Sequence, residues 1–153
     1  MTVPHETRPL AAASIPAALT TLRARGLRVS SARRLVLESL FAADGPVGAE
    51  AIAGGLGGRL PGSDLASVYR NLDTLEQIGM VRHFHLAHGR GLYALTGRCD
   101  SGYATCERCG AHRALDRGAV ARVAAALREA CGYEARLSHF PIVGTCPECD
   151  AHS

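Results

Sequence analysis

Hydrophobic residues in the first half of the chain recur every three to four positions, which is the spacing of amphipathic helices. Glycine, proline and polar residues interrupt the pattern, so it predicts four separate helices. The predicted helices run from residue 15 to Gly26, over 32–43, from about 49 to 56, and over 65–78. Candidate N-cap side chains precede the second and the fourth helix: Ser30 or Ser31, and Ser63 or Asp64.

After the fourth helix the hydrophobic pattern changes to one that is typical of strands. Residues 80–86 and 91–95 are predicted to form two strands around a turn at 87–90. Helices followed by a small hairpin are the order of elements in a winged helix-turn-helix. We therefore predict a winged-helix DNA-binding domain over residues 15–95, preceded by a flexible tail at residues 1–14.

A second domain, over residues 103–153, is predicted beyond a hinge at residues 96–102. Its predicted elements are strands at 103–105 and 112–115, a helix that Asp116 caps and that ends near Cys131, and a strand over 134–143. The predicted fold class is thus α+β, with an N-terminal winged helix-turn-helix domain and a C-terminal α/β domain. A unit of about fifty residues encloses little core, so we expect two copies to pair through it.

Two Cys-x-x-Cys pairs stand near the two ends of this second domain. The four cysteines are Cys106, Cys109, Cys146 and Cys149. Four thiolates at about 2.3 Å make up the closed tetrahedral site of a structural Zn²⁺ ion. The 36 residues between Cys109 and Cys146 exceed the spacing of a simple zinc ribbon, so one zinc per subunit would join the ends of a folded unit.

Disulfides or redox-active dithiols are the alternative interpretation of these cysteines. Disulfides are typical of secreted proteins, and no basic segment followed by a long apolar core is visible near the N-terminus. No apolar run is long enough to span a bilayer. We therefore expect a cytoplasmic protein that has no membrane partner and whose paired cysteines bind zinc.

Composition alone does not indicate a function. The chain has 153 residues, of which 47% are hydrophobic, which is enough for one large domain or two small ones. Its net charge of +3 is too modest to indicate nucleic-acid binding. The sequence has no paired carboxylates, phosphate-binding loop or recognisable nucleophile motif, so we expect neither an enzyme nor a small organic substrate.

The start of the fourth predicted helix carries the side chains that a DNA-recognition helix needs. Arginine binds guanine or phosphate, tyrosine contacts a thymine methyl or phosphate, and asparagine pairs with adenine. Further arginines bracket the start of the second helix. The candidate DNA-binding residues are Ser67, Tyr69, Arg70, Asn71, Arg28 and Arg33. A solvated helix face is the alternative interpretation of this segment.

These features together resemble the ferric uptake regulator (Fur) family of metal-responsive repressors. The resemblance rests on the run from Ser67 to Leu72, the hairpin after Gly79, the segment from Arg25 to Arg33, and both cysteine pairs with their spacing. It covers about residues 15–150. It implies a homodimer that binds palindromic double-stranded DNA operators, and a regulatory metal ion that sets the angle between the domains.

The chain departs from that family just before the first cysteine pair. A His-rich run is usual there, whereas this chain has residues 99–103, Cys-Asp-Ser-Gly-Tyr. No substitute ligand stands near residues 46–49, at the start of the third predicted helix. The commonest hinge site therefore lacks its normal ligands, which disfavours the sensing of iron.

A second set of histidines resembles the nickel-responsive branch of the family. The candidate regulatory ligands are His83, His85 and His139, with His88, Cys99 and Asp100 as further candidates. Three imidazoles suit Ni²⁺ or Zn²⁺, which we favour over Fe²⁺ or Mn²⁺. Exposed histidines of the hairpin that touch phosphate are the alternative interpretation.

Two other functions stay open at this point. One is a Fur-like DNA-binding regulator that does not sense metal at the usual site and responds to a thiol or haem, or is constitutive. The other is a zinc-ribbon scaffold that binds other proteins, which the basic start of the fourth helix disfavours.

Overall fold

The computed structural model describes residues 8–84, 91–98, 102–137 and 141–152. They divide into two units, of which the first holds residues 8–83 and 91–98. The second unit holds the remaining described residues. The fold mixes helices and sheets, as the sequence predicted, and no described helix has the length and apolar character needed to cross a membrane.

The first unit consists of helices packed beside a small sheet. Its elements are α1 (Ile15–Ala24), α2 (Ser31–Ala42), β1 (Val47–Gly48), α3 (Ala49–Ala53), α4 (Gly55–Gly58), α5 (Leu65–Gln77), β2 (Val81–Phe84, whose last residue belongs to the second unit) and β3 (Leu92–Leu95). The sheet has the strand order β1-β3-β2, and β1 pairs antiparallel with β3. The short strand β1 was not predicted, because two residues carry no periodicity.

A single hydrophobic core joins the helices of this unit. Its members come from all of the longer elements, at the positions where the helical pattern placed apolar residues. The fully buried side chains include Leu22, Val36, Leu37, Ile52, Val68, Leu72, Leu75 and Met80. The core holds α5 against α2 and α3, so the outer face of α5 has a fixed position on the unit.

Caps explain where the two central helices begin. The Ser30 side chain accepts a hydrogen bond from the backbone N–H of Arg33 at 3.1 Å, and the Asp64 carboxylate accepts one from Ser67 at 2.9 Å. The sequence had left open whether Ser31 and Ser63 play these roles. Each cap satisfies an N–H group that has no partner within its helix.

The third predicted helix is shorter than expected. Helix α3 ends at Ala53, and α4 is a single turn in which φ is positive at every residue, including +54° at Leu56. The reason is glycine, because Gly55, Gly57 and Gly58 take left-handed conformations at little cost. The helical spacing of the sequence continued across glycine-rich residues that disfavour a right-handed helix.

The N-terminal segment is attached to the first unit from residue 10 onwards. Leu10 is partly buried against the core, and its backbone N–H donates to the Gly79 carbonyl at 3.0 Å. The same carbonyl accepts a bond from the Thr96 hydroxyl at 2.7 Å. The tail predicted at residues 1–14 therefore includes residues that pack.

The second unit is a three-stranded sheet with one long helix. Its elements are β4 (Tyr103–Cys106), β5 (His112–Ala114), α6 (Arg117–Cys131), β6 (Ile142–Gly144) and α7 (Pro147–Asp150). The strand order is β5-β4-β6, with β5 antiparallel and β6 parallel to the central strand. Asp116 caps α6 as predicted, accepting a bond from Ala119 at 2.7 Å.

The last strand is shorter than the predicted span of 134–143. Residues 132–136 form no strand, and β6 begins only at Ile142. After α6 ends at the left-handed residue Gly132, the Glu134 carboxylate accepts a hydrogen bond from Arg128 at 2.7 Å. This contact places Glu134 beside α6, the helix that precedes it in the chain.

Candidate metal centre and nucleic-acid interface

The four paired cysteines converge in the second unit. Their Sγ atoms all lie within 4.8 Å of one another, and Sγ of Cys109 lies 3.7 Å from Sγ of Cys146. Sulfurs that bind one tetrahedral Zn²⁺ at about 2.3 Å are about 3.8 Å apart. A disulfide would bring two sulfurs to about 2.05 Å, and all four cysteines are free thiols. The residues therefore fit a zinc ion and do not fit disulfides.

The register of the sheet brings the two pairs together. Cys106 ends β4 and lies opposite Gly144 of β6, which leads directly into the second pair. The backbone N–H of Glu107 donates to the Gly144 carbonyl at 2.9 Å, and Arg108 donates from Nη1 to the Cys149 carbonyl at 2.8 Å. These bonds cross from one pair to the other and do not require a metal ion.

The four thiols differ in their electrostatic surroundings. Backbone N–H groups, first that of Cys109 and then that of Cys146, lower the pKa of Cys106 to about 6. The Cys146 N–H lies 3.3 Å from the Cys106 sulfur. Cys106 is therefore the thiol that is prepared as a thiolate, which is the form that binds metal.

The pKa values of Cys149 and Cys109 are raised, which keeps these two thiols protonated beside the Cys106 thiolate. Hydrogen bonds with the sulfurs of Cys146 and Cys109 raise the pKa of Cys149 to about 12. At Cys109 the backbone N–H of Ala111 favours the thiolate, but bonds with the sulfurs of Cys106 and Cys146 outweigh it and raise the pKa. Without a cation, four clustered sulfurs cannot all carry a negative charge, which explains the opposite directions.

The predicted DNA-binding residues of α5 fall into two groups. Tyr69 and Arg70 are exposed near the beginning of the helix. The Tyr69 hydroxyl donates to the Glu50 carboxylate of α3 at 3.2 Å. Sequence reasoning missed Glu50, because the two residues are 19 positions apart and no local pattern links them.

Asn71 differs from its neighbours on α5 because it is only 7% exposed. Its Nδ2 donates to the Ser67 carbonyl at 2.9 Å, and its Oδ1 accepts a bond from Nε of Arg33 at 3.0 Å. Arg33 also donates from Nη1 to the Arg28 carbonyl at 2.7 Å. Two residues predicted separately as DNA ligands are thus bonded to each other, and Arg28 contributes its backbone to the same group.

His83 is the only candidate regulatory ligand among the described residues. Its ring stacks on Tyr93 with centroids 4.4 Å apart and planes at 8°, and its Nδ1 lies 3.9 Å from a Glu76 carboxylate oxygen. The other candidates, His85, His88, Cys99, Asp100 and His139, lie outside the described residues. The regulatory site therefore stays a prediction.

A model of the ferric uptake regulator family matches residues 24–140. The chain is 26% identical over 140 residues to the peroxide operon regulator of Bacillus subtilis (strain 168), and the match covers 92% of this chain and 96% of that protein.

Solved structures of similar fold span most of the chain. The ferric uptake regulator of Helicobacter pylori has a TM-score of 0.69 at 17% identity, covering 92% of this chain and 97% of its own. The ferric uptake regulator of Vibrio cholerae has a TM-score of 0.67 at 21% identity, covering 84% and 99%. A zinc uptake regulator in complex with zinc and DNA has a TM-score of 0.54 at 24% identity, covering 90% and 93%.

Proposed function

The chain belongs to the ferric uptake regulator family, and on that basis we propose that it is a metal-responsive repressor that binds palindromic DNA operators as a homodimer. The observation that carries the proposal is the convergence of the four cysteine sulfurs in the second unit. The first unit of the same chain exposes Tyr69 and Arg70 near the start of α5. Family relatives include a zinc uptake regulator solved with zinc and DNA. The first unit, a set of helices followed by the strands β2 and β3, is assigned as the winged-helix domain over residues 15–95.

DNA binding is assigned to the N-terminal turns of α5. Tyr69 and Arg70 are exposed there, and the Asp64 cap fixes the first turn of the helix. Arg25, Arg28 and Arg34 are exposed around the start of α2 and add positive charge on the same unit. Two copies of α5 in a homodimer would enter successive major grooves about one helical turn apart, and that spacing implies a palindromic operator.

Dimerisation is assigned to the second unit, over residues 103–153. No residue of α6 is buried, and Leu127, Tyr133 and Val143 are exposed large hydrophobic residues. A helix with an apolar stripe that the described part of its own chain covers only partly is typical of an interface. A second copy of this chain is the partner that the family implies.

The four-cysteine zinc is assigned a structural role. All four tetrahedral positions are filled by protein sulfur, which leaves no open position for a substrate or for water. We assign regulation to a second divalent ion, Ni²⁺ or Zn²⁺, at His83, His85 and His139. Such an ion would couple metal binding to operator affinity by about 1–3 kcal/mol, or roughly 5–150-fold.

Selection from a random-sequence DNA library tests the proposal without knowledge of the operator. The zinc-loaded protein should enrich a palindromic duplex in the presence of Ni²⁺ or Zn²⁺, and two chains should bind per duplex. The Arg70→Ala variant should enrich no sequence, while Arg136→Ala, a change at an exposed residue of the second unit, should enrich the same one. Enrichment of no sequence by the unmodified protein would overturn the proposed function.

One observation favours a regulator that does not sense metal through these histidines. His83 already stacks on Tyr93 and lies beside Glu76 within the first unit, which is a structural role for its ring. The pair of variants His83→Ala and His139→Ala separates the two functions. If the unmodified protein responds to metal and both variants lose that response, the histidine site is supported. Variants that behave like the unmodified protein support the regulator that does not sense metal through these histidines.

A further inference from the structure

We infer that Arg33 and Asn71 form a lock that positions the recognition helix α5 against α2, and that they are not two independent DNA contacts. The inference rests on the proposed DNA-binding function and deepens it, because it separates residues that touch DNA from those that aim the helix. We refer to the hydrogen bonds among Arg28, Arg33, Ser67 and Asn71 as the Arg33–Asn71 lock.

The lock joins three segments of the first unit. Arg33 lies in the first turn of α2, Asn71 in the second turn of α5, and Arg28 in the segment that connects α1 to α2. The Arg33 guanidinium donates from Nε to the Asn71 side chain at 3.0 Å and from Nη1 to the Arg28 carbonyl at 2.7 Å. One planar group is therefore held by two bonds that diverge toward different segments.

Burial makes Asn71 dependent on its partners. The side chain is 7% exposed, so its amide is removed from water and has to be satisfied inside the protein. Its Nδ2 is occupied by the Ser67 carbonyl one turn earlier, and its Oδ1 by Arg33. An amide that is 7% exposed and oriented by two bonds within the protein presents little of its donor and acceptor pair to the edge of an adenine.

The Arg33–Asn71 lock lies next to the residues of α5 that are assigned to DNA contact. Tyr69 and Arg70, the exposed residues assigned to DNA, lie immediately before Asn71 on α5. The hydrophobic contacts between α2 and α5 hold the helices together but have little directional preference. Hydrogen bonds of a planar guanidinium do have such a preference, so the lock fixes the rotation and axial position of α5. A small displacement of α5 would shift Arg70 away from the base edges.

Substituting lysine for Arg33 separates positioning from direct contact. Lysine keeps the positive charge that a phosphate contact needs, but its ammonium cannot reproduce the planar fork that bonds Asn71 and Arg28 together. If Arg33 acts by touching phosphate, R33K should retain most of the affinity. If it acts through the lock, R33K should behave like R33A.

The experiment measures fluorescence anisotropy of two duplexes at several salt concentrations. One duplex is the sequence that the unmodified protein selects from a random library, and the other is a scrambled version of it. R33K, R33A and N71A should each lower affinity for the selected duplex by about tenfold and change affinity for the scrambled duplex by less than about twofold. The slope of log affinity against log salt concentration should be the same for R33K and the unmodified protein, because the substitution does not change the number of counterions released from the DNA.

Arg34→Ala is the matched control, since Arg34 is the next residue of α2 and is exposed. Loss of a phosphate contact in both subunits should weaken binding to both duplexes and reduce the salt slope by about two. Binding is compared well below the lowest unfolding temperature of the set, so that partial unfolding does not contribute. A change limited to overall stability would leave the ratio of the two affinities unchanged.

A double-mutant cycle on thermal unfolding tests the lock without DNA. R33A and N71A should be strongly non-additive, because either change alone breaks the same bond. Retention of full selected-duplex affinity by R33K, or additive effects of R33A and N71A on stability, would overturn the inference. If the unmodified protein does not distinguish the two duplexes, the proposed function fails, and the unfolding cycle still decides whether the lock exists.

Discussion

Among the four clustered cysteines, Cys106 differs from the others in its surroundings. It ends a central strand, its side chain is 4% exposed, and backbone N–H groups point at its sulfur. Cys109, by contrast, is exposed in the turn that follows. A zinc ion that binds here would therefore meet one thiol already favoured as a thiolate and would have to displace protons from the thiols whose pKa values are raised.

This difference predicts how zinc affinity depends on pH. The pKa of Cys106 is lowered to about 6 in the folded, metal-free protein, so the thiolate is present above pH 6 and is lost as the pH falls through that value. Below about pH 6, zinc binding has to release one proton more than above it. We expect the plot of log affinity against pH to steepen by about one unit there, as measured by competition with a chelator under reducing conditions.

A serine at position 106 provides the control for that measurement. Cys106→Ser should weaken zinc binding and remove the change of slope near pH 6, whereas Cys131→Ser should do neither, because Cys131 lies outside the cluster. An unchanged slope through pH 6 in the unmodified protein would contradict the assigned order of deprotonation.

At the scale of elements, the conformation of the turn α4 depends on individual glycines. Gly55 has φ of +68°, and a Cβ there would overlap the Leu60 carbonyl oxygen. Gly57 has φ of +71°, but a Cβ there would meet nothing within 4 Å. Both positions favour glycine, and only the first also excludes a side chain by contact.

These two glycines make a matched pair of stability predictions. Gly57→Ala should cost about 1–2 kcal/mol, the conformational penalty of a left-handed alanine. Gly55→Ala should cost more, because the backbone from residue 55 to 60 has to shift as well. Urea unfolding measures both losses. Gly45→Ala is the control and should be nearly neutral, because Gly45 has no positive φ and a Cβ there would meet nothing within 4 Å. Equal losses at positions 55 and 57 would contradict the contact with Leu60.

The N-cap of α5 supports a second prediction at this scale. Asp64→Ala removes the acceptor for the Ser67 N–H and should lower stability by about 1 kcal/mol. Ser63→Ala should have little effect, although the sequence offered both residues as caps. A larger loss of stability from Ser63→Ala than from Asp64→Ala would show that Ser63, and not Asp64, caps α5 in solution.

Local patterns predicted most of these elements, and non-local contacts account for what they missed. The bounds of α1, α2, α5 and α6 follow from periodicity and caps, and the cysteine cluster follows from ligand chemistry and spacing. The Arg33–Asn71 bond joins residues 38 positions apart, so no window of sequence contains it.

For the whole molecule, the two units differ in what holds them together. The first has a continuous core of fully buried side chains, while α6 of the second has no buried residue at all. Structural zinc sites supply folding free energy directly, of the order of 10 kcal/mol or more in small domains. We therefore expect the second unit to be much less stable without zinc, although hydrogen bonds between the two cysteine pairs keep it folded, and the first unit to be unaffected.

Removing the metal tests this dependence. A strong chelator should increase hydrogen exchange throughout β4, β6 and α6 and leave α2 and α5 protected. Cys109→Ser should have the same effect without chelator. Equal protection of α6 with and without zinc would mean that the sheet, and not the metal, holds the second unit.

The central claim is that a divalent ion controls DNA binding by a dimer whose structural zinc stays in place. Operator affinity of protein that retains one zinc per chain, measured while Ni²⁺ or Zn²⁺ is titrated from zero, tests it most directly. We expect affinity for the selected duplex to rise by roughly 5–150-fold and to saturate with one further ion per subunit. An affinity that is the same at every concentration of added metal would contradict it.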